Sequence, residues 1–197
     1  MTFPNIGLIG KLRSGKSAAG DYLASKYGYT QFAFGDELKR YAHELFGEPA
    51  PGTKPRELYQ WFGQAMRDRD PDVWVRKCFD HIERVNLARW LATQEAGGPI
   101  VCNPPHAVVT DVRQLNEAEA LAARSYVLIR VTAPDGLRIE RAVNSGDTFN
   151  YRDVVHLTET ALDGYAADFT VVNDAGLDAL YAQIDKIIAG LTLKEAA

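Results

Sequence analysis

The chain has 197 residues, 46% hydrophobic and 24% charged, the proportions of one globular domain and not of a disordered or fibrous chain. Its formal net charge of −4 argues against direct nucleic-acid binding, and no apolar run approaches the ~20 residues that span a membrane. Cys78, Cys102 and the four histidines fall at no metal-ligand spacing, so neither a structural zinc nor a disulfide framework is expected. Lone thiols and the lack of a leader pattern point to the cytoplasm.

The first element is a short apolar strand, Ile6–Ile9, running into "GKLRSGKS". That stretch fits G-x-x-x-x-G-K-[ST], a loop whose backbone N–H groups cradle an anion where glycines let the backbone come close. The spacing assigns Gly10, Arg13, Ser14, Gly15, Lys16, Ser17 and Ala18 to a nucleoside triphosphate. Lys16 reaches the β- and γ-phosphates and the Ser17 hydroxyl lies on Mg²⁺. A helix over Ser17–Lys26, closed by Gly28, adds its N-terminal dipole. A second strand, Thr30–Ala33, precedes "FGDELKR" and a helix over Asp36–Phe46. Asp36 is its expected N-cap, and Lys39 and Arg40 lie one turn in, either as solvated cations or as phosphate ligands.

A long, largely helical excursion follows, carrying Arg67 and the aromatics Tyr59, Trp61, Phe62 and Trp74. Pro71 starts its second helix, and Gly97, Gly98 and Pro99 end it. The third strand, Ala107–Thr110, leads into Asp111 and Arg113, an acid suited to water on Mg²⁺ and a guanidinium suited to a phosphate. Glu117 or Asn116, in the helix over Gln114–Arg124, is placed to read a base. A fourth strand, Val127–Val131, precedes the helix Leu137–Asn144, which carries Arg138 and Arg141 at i, i+3. The fifth strand, Phe169–Val172, ends in "VVNDAG". There Asn173 and Gly176 either face a nucleotide base or simply turn into the last helix, Leu177–Leu191. Strands alternating with helices imply a parallel sheet covered on both faces, with ligands at the carboxyl ends of its strands.

Together these segments resemble the nucleoside monophosphate kinases. "FGDELK" is similar to their acceptor-phosphate motif, with Lys39 where arginine is usual, and "VVTDVR" to their third-strand motif. The narrower resemblance is to the bacteriophage-type deoxynucleoside monophosphate kinases, through "LRSGKS", "RELYQWFGQAMRDRDPDVWVRK", "VTDVRQLNEAEAL", "HLTETAL" and "DFTVVNDAGLDALYAQIDKI". It implies an α/β P-loop kinase with a five-stranded parallel sheet, residues 1–197 forming one domain. A helical monophosphate-binding lobe at about 36–104 and a lid at about 134–156 are expected within it.

The implied reaction transfers the γ-phosphoryl of ATP, with Mg²⁺, to a deoxynucleoside monophosphate. Lys16, Arg13, Arg138, Arg141 and Asp111 are then catalytic, with Ser17 and Asp111 on the metal. Asp36, Lys39, Arg40, Arg67, Trp74, Arg113 and Glu117 are on the acceptor. A second lid arginine is missing at Ser145, for which Arg138 or Arg152 substitutes, and His156 reads as a hinge or packing residue. The resemblance is compatible with a homodimer and with host cytoplasm for a phage-encoded chain. Two alternatives stay open. One is a dephospho-coenzyme A kinase, in which Asp36 is the base. The other is a nucleotide-dependent switch, against which stand the missing N-K-x-D and D-x-x-G motifs.

Overall fold

Four consecutive buried residues, Ile6–Ile9, form β1, the central strand of a five-stranded parallel sheet in the computed structural model. The structure describes residues 3–53, 55–95, 106–144 and 161–195. Around β1 lie β2 (Thr30–Phe32), β3 (Ala107–Val112), β4 (Val127–Thr132) and β5 (Phe169–Val172), in the order β2-β3-β1-β4-β5. β1 pairs in register with β4 from Ile6 opposite Val127 to Ile9 opposite Arg130. Against β3 the register slips between Gly7 and Ile9, so that Ile9 meets Val112. At Gly7 the sheet packs closely against its neighbours: a Cβ there would lie 2.6 Å from a Leu128 methyl and 2.9 Å from a Leu121 methyl, which would have to shift. The sheet order reverses at β1, and in open parallel sheets the crevice at such a reversal receives ligands.

Seven helices are described: α1 (Lys16–Tyr27), α2 (Phe34–Phe46), α3 (Arg56–Arg69), α4 (Val73–Glu95), α5 (Leu115–Ala122), α6 (Asp135–Asn144) and α7 (Leu177–Glu195). Leu180, Ile184 and Ile188 recur every four residues along α7 and bury one stripe against Ile6, Leu8, Ile129 and Val171 of the sheet. Ala19 and Leu23 of α1 join the same core. Each such aliphatic side chain stabilises the fold by about 1.5–3 kcal/mol. Gly28, at φ +74°, stops α1 by turning its N–H back onto the Ala24 and Leu23 carbonyls.

The chain divides into two compact units, residues 1–31 with 105–197, and residues 32–104. The second has its own core, in which Leu38 and Ala42 of α2, Phe62 of α3 and Trp74 of α4 meet. Gly63 allows α2 and α3 to approach, since a Cβ there would strike Leu38 at 2.6 Å.

The elements depart from expectation at their ends. α2 begins at Phe34 and its cap is Ala33, not Asp36. Phe34 is 2% exposed, and its burial draws the helix start two residues upstream. Asp36 then lies in the first turn, where its charge suits the helix dipole. α4 begins at Val73 and not at Pro71, with the Asp70 carbonyl accepting the Val73 N–H at 3.1 Å. α6 begins at Asp135 and not at Leu137, the Pro134 carbonyl accepting the Arg138 N–H. β2 ends one residue early and β3 runs on to Val112. The expected helix end at Gly97, Gly98 and Pro99, together with Cys102, Ser145, Arg152, His156 and the "HLTE" segment, lies outside the described residues. Among the described residues, no helix is long and apolar enough to cross a membrane.

Candidate functional site

Between β1 and α1 the chain turns through a loop with three residues at positive φ: Gly10 at +149°, Arg13 at +62° and Gly15 at +111°. Two of these positions leave no room for a side chain. A Cβ at Gly10 would lie 2.2 Å from the Val131 carbonyl oxygen, and one at Gly15 would lie 2.2 Å from Asn173 Nδ2.

Five successive carbonyls of this loop are each engaged by a side chain. The Lys16 ammonium donates to the Gly10 and Lys11 carbonyls, the latter at 3.0 Å. Arg138 Nε donates to the Leu12 carbonyl at 2.8 Å. Arg141 Nη1 donates to that of Arg13 at 3.4 Å, and Asn173 Nδ2 to that of Ser14 at 2.9 Å. A peptide N–H points away from its own carbonyl, so fastening these carbonyls fixes the orientation of the loop's peptide planes, and the Ser14 N–H itself returns to the Lys11 carbonyl at 3.2 Å. Gly15 caps α1 without a side-chain bond, at the helix end whose dipole suits an anion.

The clasp gives two arginines a role that their charge alone did not indicate. Arg138 is 6% exposed, and besides Leu12 it holds Asp135 at 2.6 Å. Arg141 also donates to the Asn173 carbonyl and Oδ1, both at 3.2 Å. Expected as lid cations on the migrating phosphoryl group, both act here on the loop backbone. Asn173 is buried at the end of β5 and joins the loop to the turn before α7. Gly176, at φ +93°, completes that turn and accepts the Leu180 N–H.

A cavity of about 280 Å³ opens between this loop and the carboxyl end of β4, lined by Gly10, Lys11, Ser14, Thr132, Ala133 and Arg138 among others. Ser14 is 1% exposed, and its hydroxyl makes no hydrogen bond among the described residues. An unsatisfied buried hydroxyl costs roughly 1–3 kcal/mol, which a polar ligand in the cavity would recover.

At the end of β3, Asp111 precedes Val112, the residue paired with Ile9, so the acid sits on the strand adjacent to β1. Arg113 follows, half-buried. Glu117, expected to read a base, is instead 3% exposed and folds back on its own helix. Its carboxylate accepts the Arg113 and Gln114 N–H groups at 2.8 and 3.0 Å, closing a capping box at the start of α5. Its effect is to fix the backbone that presents Arg113.

In the second unit, Asp36 and Lys39 form an exposed pair at 3.3 Å on α2. Arg40 binds the buried carboxylate of Glu37 and lies 4.0 Å over the Tyr41 ring. Arg67 of α3 lies beside Gly63. Trp74, expected on the acceptor, is 3% exposed in the core, its indole N–H donating to the Gly63 carbonyl at 3.1 Å.

No protein-family description matches the chain. It is 28% identical, over 193 residues, to a provisionally named deoxynucleotide monophosphate kinase of Acanthamoeba polyphaga mimivirus, covering 91% of this chain and 93% of that one. It is 26% identical over 186 residues to an uncharacterised protein, ORF77, of Ictalurid herpesvirus 1, covering 93% and 69% respectively. Among solved structures it is similar to shikimate kinase from Acinetobacter baumannii, with a TM-score of 0.54 at 17% identity over 96% of this chain and 94% of that one. It is also similar to a gluconokinase from Sinorhizobium meliloti 1021, with a TM-score of 0.53 at 17% identity over 98% and 99%. The fold is that of the P-loop kinases.

Ser17 offers an exposed hydroxyl at the start of α1 and Asp111 a carboxylate on β3, both oxygen donors of the kind Mg²⁺ takes. Among the described residues, no group of three or more His, Cys, Asp or Glu side chains could hold a resident ion. Ala18 follows Ser17 in the first turn of α1.

Proposed function

We propose that the chain transfers the γ-phosphoryl group of ATP to a deoxynucleoside 5′-monophosphate, giving ADP and the deoxynucleoside diphosphate. The observation that carries this reading is the loop from Gly10 to Ser14, every carbonyl of which is held by a side chain, fixing its backbone beside the cavity that Gly10, Lys11 and Ser14 line. The mimivirus relative, matched over 91% of this chain, supports the choice of acceptor. The deoxy preference and the bacteriophage type rest on the sequence resemblance.

The acceptor phosphate is already an anion at neutral pH, so its oxygen attacks the γ-phosphorus without a strong base. The bond to the β–γ bridging oxygen breaks and ADP leaves. What the protein must supply is position and positive charge. The loop amides and Lys16 take the donor, Ser17 and Asp111 bear on the metal, and Arg13 lies at the loop's turn. Arg113, Lys39 and Arg40 take the acceptor phosphate. Mg²⁺ held there by Ser17 and Asp111 would supply positive charge against that of the donor phosphates. Nothing in this scheme needs a nucleic acid or a membrane, and the cytoplasm would supply its substrates.

The test is a turnover panel with ATP and Mg²⁺ over the four deoxynucleoside monophosphates, their ribose counterparts and dephospho-coenzyme A. Phosphorylation of at least one deoxynucleotide, and none of dephospho-coenzyme A, is expected. Turnover of dephospho-coenzyme A alone overturns the function, and equal rates on ribose and deoxyribose forms overturn the deoxy preference.

A further inference from the structure

Glu37, in the first turn of α2, is 1% exposed, yet it is ionisable and faces three nitrogen-bearing side chains. Its Oε2 accepts Arg40 Nη2 at 2.9 Å and Nε at 3.2 Å. Its Oε1 takes Arg84 Nη2 at 3.2 Å and His81 Nδ1 at 2.9 Å, both from α4. The His81 ring stands edge-on to Phe32, the last residue of β2, with centroids 5.6 Å apart. The cluster therefore lies against Phe32, within the unit of residues 32–104.

Cross-linking α2 to α4 does not account for this arrangement. Leu38, Ala42 and Trp74 already join the two helices, and an apolar side chain in place of a buried ion pair is commonly neutral or stabilising. What a buried carboxylate does is fix the cations that reach it. Arg40 and Arg84 are each anchored along one edge, while their side chains remain 44% and 56% exposed. Two guanidinium groups sharing one carboxylate leave a single positive charge in excess, facing water. The contact of Arg40 with Glu44, at 3.3 Å to a side chain 64% exposed, is a surface pair that water weakens.

We propose that Glu37 is a positioning residue that presents Arg40 and Arg84 together to the phosphate dianion of the acceptor nucleotide. This rests on the monophosphate kinase reading and adds Arg84 to its acceptor site. The two guanidiniums offer the planar fork that phosphate recognition favours, and a shared buried anchor removes the cost of ordering them when the ligand arrives.

The experiment compares the full-length wild type with Glu37→Gln, Arg84→Gln and the double variant. It uses whichever monophosphate the wild type turns over best, with melting temperatures recorded alongside. Each single variant is expected to raise the acceptor KM at least tenfold while the ATP KM stays within twofold. The double variant should be no worse than about the poorer single, because both act through one contact. Arg84 is exposed, so Arg84→Gln carries the test should Glu37→Gln fail to fold. A lowered melting temperature with an unmoved acceptor KM overturns the inference and leaves the kinase reading standing. A wild type inactive on every monophosphate overturns both.

Discussion

Asn173 shows how much one buried amide can hold: its Nδ2 fixes the Ser14 carbonyl, and its own oxygens receive Arg141. In Asn173→Ala the Ser14 carbonyl loses its donor, a loss worth about 1–3 kcal/mol at a buried site. The loop should loosen, raising the ATP KM more than it lowers kcat; initial-rate kinetics across ATP concentrations will read this. Under the proposed reaction, Lys16→Ala takes a cation away from the transferred group and should lower kcat by roughly 10²–10³, with far-UV circular dichroism unchanged. Near-normal turnover in that variant would remove the loop from the donor site. At this scale the sequence was legible where a rule is local. The motif anticipated the glycines at positions 10 and 15 because close backbone approach and left-handed φ belong to the loop itself. It could not identify what Arg138 and Arg141 hold, since their partners are carbonyls more than a hundred residues away. Charge suggested phosphate, whereas the tertiary fold used their donors on backbone. Glu117 was misread for a related reason: its buried carboxylate serves the turn just ahead of it.

The elements were predictable in kind and order because apolar runs and strand–helix alternation fix them, and their ends were not. Asp36 matched an N-cap preference, yet burial of Phe34 outweighed that preference and moved the start of α2. The same first turn should respond to acid. Burial pushes the Glu37 carboxyl up, but hydrogen bonds from Arg40 and the charges of Arg40, Arg84 and His81 outweigh it. Together they hold the group below its ordinary value of 4.5. A depressed folded-state pKa gives stability that is full above the unfolded value and is lost as pH falls through the folded one. The α2–α4 contact should therefore hold constant strength above about pH 5 and weaken below about pH 4. Thermal melts of wild type and Glu37→Gln from pH 3 to 7 will test this. Their difference should be flat in the upper range and change only in the lower, and a difference independent of pH would contradict it.

On the scale of the molecule, the four side chains that shape the loop have very different origins in the chain. Lys16 lies within it, whereas Arg138, Arg141 and Asn173 are separated from their carbonyl partners by 126, 128 and 159 residues. Contacts of such long sequence separation form late, because the intervening chain must be ordered first. Nearly the whole polypeptide must thus be in place before the loop takes its shape, although the loop lies in the first tenth of the chain to be synthesised. Affinity for a nucleotide becomes a proofreading signal for completed folding. In stopped-flow refolding, helical ellipticity should recover first, and fluorescence from a bound ATP analogue should rise only with the slowest phase. Binding that keeps pace with ellipticity would mean the loop assembles unaided. Nucleotide in solution should also act as a late ratchet, drawing the chain forward only once its final strand has docked.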